Sequence, residues 1–118
     1  MRFPSGRWRV ETLAVGGELQ PTLGGALLTL EVSDDGDVLG NTGINRFSGR
    51  LGAGGLFGPL ATTTMSGPHA LVAQERIYLK HLEAVDGFEI DAEEGGINLV
   101  ARGLIVVTLR SLGGDGPG

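Results

Sequence analysis

The glycines of this chain constrain its fold more than any other residue type. There are 22 glycines among 118 residues, well above the usual share of about 7%, and they lie between short apolar runs. Turns and bulges need glycine, whereas the interiors of helices and strands are weakened by it. A chain divided in this way favours many short strands, and its length suits a single domain.

Several of the segments between glycines alternate between apolar and polar residues, as half-buried strands do. In the first of them, we expect Trp8, Val10 and Thr12 to share one face, and we predict that residues 16–25 form a loop. The complete set of predicted strands is residues 8–15, 26–33, 38–41, 45–51, 60–65, 88–91, 97–102 and 104–110.

The second predicted strand has the clearest alternation, with Leu28, Leu30 and Val32 on one face. It runs into Asp34-Asp35-Gly36-Asp37, an Asp-Gly turn signal that predicts a hairpin to the next strand. A calcium loop would need ligands at alternating positions and a later bidentate acid, and this segment has neither. We interpret it as a hairpin turn.

One segment has the helical period. Gly67 is an acceptable N-cap and Pro68 suits the first helical position, where a missing N–H costs nothing. Asp86-Gly87 ends the run. The apolar positions that recur at helical spacing are Leu71, Tyr78, Leu82 and Val85.

The order of elements is therefore five strands, one helix and three strands. We predict an α+β, mostly β fold: a single-domain antiparallel barrel or strongly curved sheet of about eight strands, with one helix at roughly residues 68–85. The domain is expected over residues 1–112, and residues 113–118 are expected to be a flexible Gly-rich tail.

Composition excludes several classes of function. The net charge is −5 and the nine Lys and Arg do not cluster, which argues against nucleic-acid binding. No run approaches the ~18 apolar residues of a transmembrane segment, and with no Cys there is no thiolate metal site or cysteine nucleophile. The N-terminus lacks an apolar core of signal-peptide length, so we expect a cytoplasmic protein or one whose export segment has been removed.

The remaining motifs do not predict a cofactor, a metal site or a catalytic set. Residues 52–58 are glycine-rich, but Phe57 occupies the third glycine position of a dinucleotide-binding pattern and the helix starts some ten residues later. His69 and His81 point about 120° apart on the helix, so they cannot share a metal on one face. No serine, histidine and acid set suggests itself.

Two blocks stand out: residues 40–49, which hold three glycines, two asparagines and one aromatic, and residues 61–68, which run from a threonine-rich strand into the helix. Asn41 and Asn45 bracket Gly43, and we favour structural roles for both because asparagine side chains imitate backbone in turns. Glu75 is either a solvated helix residue or, as a hypothesis, turns inward to meet Arg46 or backbone donors near the Gly43 turn.

These blocks resemble the META domain family, which includes the HslJ-like heat-shock proteins of bacteria. The family pattern of the first block is matched by Gly40, Gly43, Asn45, Phe47 and Gly49. The second block and the helix match through Gly58-Pro59-Leu60-Ala61, Thr63, Met65, Pro68, Gln74-Glu75 and Tyr78-Leu79-Lys80-His81-Leu82. The resemblance covers nearly the whole chain.

The chain departs from the family pattern at two positions where cysteine is usual. Ile44 and Gly67 stand there instead. If the family's two cysteines are neighbours, one position has grown and the other has shrunk, which roughly conserves volume. We hypothesise that Ile44 fills the space opposite Gly67.

The resemblance implies a small barrel-like domain, often exported or lipid-anchored, with stress-, envelope- or motility-related roles. Our first hypothesis is a non-enzymatic binding or interaction module for an unknown protein partner. The second is a carrier of a lipid or small hydrophobic ligand, held in an opening between helix and sheet lined by Leu71, Leu82, Phe47 or Val107. The third is a hydrolase built on a buried Glu75–Arg46 pair. The candidate interaction residues are Asn41, Gly43, Asn45, Arg46, Phe47, Gly49 and Glu75.

Overall fold

The computed structural model describes residues 2–24, 27–52, 56–93 and 95–112. The predicted tail, residues 113–118, lies outside these ranges. The described elements, in chain order, are β1 (Gly6–Val15), β2 (Glu18–Pro21), β3 (Thr29–Val32), β4 (Asp37–Asn41), β5 (Arg46–Arg50), β6 (Ala61–Thr62), α1 (His69–Ala84), β7 (Gly87–Asp91), β8 (Gly96–Ala101) and β9 (Leu104–Ser111).

The nine strands form one antiparallel sheet in the order β6-β5-β4-β3-β1-β9-β8-β7, with β2 beside the second half of β1. The sheet is strongly curved but not closed. The mostly β, curved fold with one helix is confirmed, and the hairpin at Asp34–Asp37 joins β3 to β4 as predicted. Leu28, Leu30 and Val32 are all buried.

Strand β2 falls inside residues 16–25, where we predicted only a loop, so that prediction is wrong. Gly16 and Gly17 have φ angles of +60° and +87°. Two successive positive φ angles make the two-residue turn that joins hairpin strands, and Val15 pairs with Glu18 across it. All four residues of β2 are exposed, so this short strand has no buried face of the kind on which the other strand predictions relied.

The prediction of which β1 residues face the core is also wrong in part. The pairing of β1 with β9 shifts register between Val10 and Thr12, which is the signature of a β-bulge at Glu11. The bulge brings Leu13 to the inner face, at 3% exposure. Thr12, which we expected there, is half-buried and bonds the hydroxyl of Thr108 at 2.6 Å.

The strand predicted at 60–65 is much shorter than expected, since only Ala61–Thr62 pairs with β5 as a strand. Beyond it, the backbone N–H and C=O of Met65 both bond the side chain of Asn45. A side-chain amide thus takes the place of a neighbouring strand, and the regular ladder ends.

Helix α1 begins one residue later than predicted, because Pro68 is the N-cap residue, with φ −55° and ψ 144°. The helix spans 16 residues, and no helix in residues 2–24, 27–52, 56–93 and 95–112 is long and apolar enough to cross a membrane. Its buried side chains are Gln74, Tyr78 and Leu82, which recur every four residues and so form one stripe towards the sheet.

Tyr78 fixes the helix to the sheet at the centre of the core. Its ring packs edge-on against Phe47 at a centroid distance of 5.7 Å, and its hydroxyl donates to the carbonyl of Thr29 at 2.8 Å. Gly40 makes room for this arrangement, because a Cβ there would overlap the ring of Phe47. The buried hydroxyl has its partner, as buried polar groups require.

A second aromatic group lies between the two ends of the open sheet. Phe3 makes edge-on contacts with Trp8, Phe57 and Phe88, with centroid distances of 4.9–5.4 Å. Phe57 precedes the edge strand β6 and Phe88 belongs to the opposite edge strand β7. The N-terminal segment therefore covers the gap that keeps the sheet from being a closed barrel.

The burial of Tyr78 predicts a specific alkaline behaviour. Burial raises the pKa of the Tyr78 hydroxyl far above its ordinary value, while the unfolded chain loses this proton at a pKa of about 10. The contribution of the neutral hydroxyl to folding is therefore complete below about pH 10 and is lost progressively as the pH rises above it.

Tyr78 is the chain's one tyrosine, so tyrosinate absorbance reports it alone. We expect this absorbance to rise only together with unfolding, followed through the fluorescence of Trp8, and we expect Tyr78→Phe to remove the absorbance change. Ionisation near pH 10 with the fold intact would contradict the buried placement.

Candidate functional site: the Asn45 network

The side chain of Asn45 uses all of its hydrogen-bonding capacity inside the protein. It lies just before β5 and is 3% exposed. Its Oδ1 accepts from the backbone N–H of Met65 at 2.7 Å and from Thr63 Oγ1 at 2.9 Å. Its Nδ2 donates to the carbonyl of Met65 at 3.0 Å and to Glu75 Oε2 at 2.7 Å. Two acceptor sites and two donors are all that an asparagine amide has.

Thr42 closes the turn that presents Asn45. Its side chain is fully buried, and its Oγ1 donates to Glu75 Oε2 at 2.6 Å while accepting from the backbone N–H of Asn45 at 2.9 Å. The backbone N–H of Thr42 also bonds the carbonyl of Asn45 at 2.8 Å. We call these five residues the Asn45 network: Thr42, Asn45, Thr63, Met65 and Glu75.

Glu75 connects this network to helix α1. One carboxylate oxygen receives both Thr42 Oγ1 and Asn45 Nδ2, and such bonds to an ionised group are stronger than neutral ones. The side chain is half-buried and does turn towards the Gly43 turn, as hypothesised. Its partners there are two side chains rather than Arg46 or backbone donors.

Within the described part of the chain, the charged side chain of Arg46 makes no ion pair with the Asn45 network. Its side chain is exposed, and none of the ion pairs between described residues joins it to Glu75. Only its backbone takes part: its N–H donates to Thr63 Oγ1, and its carbonyl accepts from the N–H of Thr63, both at 3.0 Å. The Glu75–Arg46 pair on which the hydrolase hypothesis depended is therefore not formed.

Asn41 and Gly43 shape the turn. Asn41 Oδ1 accepts the backbone N–H of Gly43 at 2.8 Å, which is the local bond of an Asx turn, and Gly43 has a φ of +92°. The Asn41 side chain is exposed. These contacts agree with the structural role that we favoured for this asparagine.

Phe47 and Gly49 serve packing. Phe47 is 2% exposed and belongs to the core. A Cβ on Gly49 would lie 2.9 Å from both a methyl carbon of Leu60 and the carbonyl of Phe57, so only glycine lets β5 approach the segment before β6. Both residues therefore have a structural role in packing β5 against the core and the segment before β6.

Ile44 and Gly67 are in contact, as hypothesised. A Cβ on Gly67 would lie 3.3 Å from Cδ1 of Ile44, which is tight van der Waals contact. The isoleucine therefore occupies the space beside the glycine, and the larger residue at one position accompanies the smaller one at the other.

The chemistry of the Asn45 network follows from its hydrogen bonds. The amide of Asn45 and the shared oxygen of Glu75 already bind protein groups, and Thr42 Oγ1 is buried and bonded on both its donor and acceptor sides. Within the described ranges, no group of three or more His, Asp or Glu side chains is placed to hold a metal ion. The arrangement joins the turn, the segment before the helix and the helix itself.

Sequence reasoning missed a different feature, an apolar groove of about 260 Å³ between helix α1 and the β1–β2 hairpin. We call it the helix–hairpin groove. Strand β2 forms part of one wall of this groove, and we had predicted only a loop at residues 16–25. Its lining residues are Leu13, Val15, Gln20, Pro21, Leu23, Ala70, Ala73, Gln74 and Ile77.

The residues expected to line an opening between helix and sheet lie elsewhere. Phe47, Leu82 and Val107 are at most 2% exposed and fill the core, and Leu71 is half-buried. Gln74 could have been found from the sequence, because it lies four residues before Tyr78 on the buried stripe of the helix.

The Asn45 network predicts a large stability difference between two asparagines of the same block. Asn45→Ala leaves several buried groups without partners, and we expect the free energy of unfolding to fall by about 3 kcal/mol. Asn41→Ala removes one bond at an exposed turn, and we expect a loss below about 1 kcal/mol. Urea unfolding followed by Trp8 fluorescence measures both, and equal losses would contradict the assignment.

Comparison with known proteins identifies the family of the chain. The family model described as META domain matches residues 2–110. No curated protein and no solved structure matches the chain significantly. The matched residues include β1–β8, most of β9, the helix and the whole Asn45 network. The chain therefore belongs to the META domain family.

Proposed function

We propose that this protein is a non-enzymatic binding module that uses the helix–hairpin groove as its binding surface. The observation that carries the proposal is the groove itself: seven of its nine lining residues are apolar. Val15 and Leu23 on its walls remain 39% and 42% exposed. Concave apolar surface that folding leaves open is typical of binding sites.

The Asn45 network supports the non-enzymatic part of the proposal. A general acid, base or nucleophile needs a reacting atom within reach of a substrate. In this network Glu75 Oε2 already accepts from Thr42 Oγ1 and Asn45 Nδ2, and Thr42 and Asn45 are buried. These side chains hold the turn before β5 and the helix in position.

The biological setting that we propose comes from the family. HslJ-like META proteins are bacterial and stress-inducible, and a stress- or envelope-related role for this chain is consistent with a small domain built to bind. The net charge of −5 favours a protein or small-molecule partner over nucleic acid.

A second candidate function is a carrier for a lipid or small hydrophobic ligand. The groove favours it, because its walls are apolar and one of them is a helix packed on the sheet. Its volume of about 260 Å³ is just below the roughly 300–1,000 Å³ that is usual for ligand pockets. A short ligand fits this size better than a complete lipid chain.

Native mass spectrometry of the protein purified from its own host tests the binding function. We expect a retained mass on the wild-type chain, and we expect Ala73→Phe to remove it because the new ring fills the groove. Ala84→Phe is the matched control: it makes the same change at an exposed helix residue outside the groove and should retain the mass.

Two results would contradict the proposal: a bare wild-type chain, or equal retention by the Ala73→Phe variant. Glu75→Gln addresses the non-enzymatic part, because glutamine keeps an oxygen that can accept from Thr42 and Asn45. We expect this variant to retain the same unaltered molecule. Conversion of the retained molecule by the wild type but not by Glu75→Gln would show catalysis.

A further inference from the structure

We propose that the helix–hairpin groove binds a small, uncharged molecule that combines an apolar body with a carbonyl-type hydrogen-bond acceptor, and that Gln74 is the residue that recognises the acceptor. This inference rests on the proposed binding function and names the ligand class for the same site. It follows from the charge of the lining, the orientation of Gln74 and the state of its amide nitrogen.

The lining favours an uncharged ligand. None of the nine residues around the groove is charged, and the two polar ones are the amides Gln20 and Gln74. Moving a charge into such surroundings without an opposite charge is costly. A carboxylate or ammonium group would find no counter-ion among the lining residues.

The orientation of Gln74 is fixed by a bond to the chain. Its Oε1 accepts the backbone N–H of Leu23 at 2.8 Å, across from the helix that carries Gln74. Because the oxygen is committed in this way, the other end of the amide is the NH₂ group, which can only donate. Because Gln74 lines the groove, the group that its side chain can still give to a ligand is a donor, and the complement of a donor is an acceptor.

That donor has no partner among the described residues. Gln74 is 7% exposed, and its Nε2 is buried without a hydrogen bond. An unpaired buried N–H group costs about 1–3 kcal/mol, and such groups in native proteins need a specific reason. A ligand carbonyl in the groove would supply the missing acceptor.

Recognition involves a small movement. Nε2 itself exposes less than 1 Å², so the acceptor reaches it after a slight turn of the Gln74 side chain or of the adjoining wall. Ala70 and Ala73, which line the helix side of the groove, have small side chains that leave space for this turn.

The test uses N,N-dimethyloctanamide as probe, because it has a seven-carbon apolar chain, a carbonyl acceptor and no charge. Sodium octanoate is the matched charged comparator with the same acyl chain. In ¹⁵N–¹H NMR titrations we expect the amide to shift the side-chain NH₂ signals of Gln74 and the backbone signals of Ala73 and Ile77. We expect octanoate to bind at least about tenfold more weakly.

Gln74→Met tests the role of the donor, since methionine has a similar length and no N–H group. We expect about tenfold weaker binding of the probe. Because this variant also loses the bond to Leu23, Ala73→Phe provides a second check with Gln74 intact: it should abolish binding, whereas Ala84→Phe should not. Equal affinity for octanoate, unchanged binding by Gln74→Met, or shifts confined to other surfaces would each overturn the ligand class.

The failure of this inference is distinguishable from failure of the binding function. A charged molecule or a protein retained from the host and lost in Ala73→Phe, with no probe binding, would refute the ligand class and leave the groove as the binding surface. A bare chain from the host with no probe binding would refute both.

Discussion

The saturated amide of Asn45 is the interaction on which the rest of this structure depends. Three parts of the chain meet there: the turn before β5, the segment leading into the helix, and the helix through Glu75. A buried amide with all its bonds made favours one arrangement, because any displacement leaves an unpaired polar group away from water. Together with the contacts of Tyr78, it sets the position of the helix on the sheet, and so one wall of the groove.

This dependence separates the residues that shape the protein from those that we propose bind a ligand. The polar side chains of the Asn45 network bond one another inside the protein. The helix–hairpin groove, in contrast, is lined mostly by apolar residues with ordinary sequence patterns. A reading of function from motifs alone favours the first group. The hydrogen bonds of Asn45 and the unpaired amide of Gln74 point to the second.

Much of the fold was predictable because alternation and turn chemistry are local. The run containing Leu28, Leu30 and Val32 and the Asp-Gly turn after it were predicted from adjacent residues alone. Strand β2 was not, since all of its side chains are exposed and its pairing depends on two glycine φ angles. The partners of Glu75 were also beyond local reasoning: Thr42 is 33 residues away, and only the fold brings the two together.

The central claim is that Asn45 and Glu75 act as one unit, and a double-mutant cycle tests it most directly. The free energies of unfolding of wild type, Asn45→Ala, Glu75→Ala and the double variant can be compared under identical conditions. Residues that share a hydrogen bond show coupling of about 0.5–3 kcal/mol, and we predict at least about 1 kcal/mol here. Losses that add to within about 0.3 kcal/mol would contradict the account.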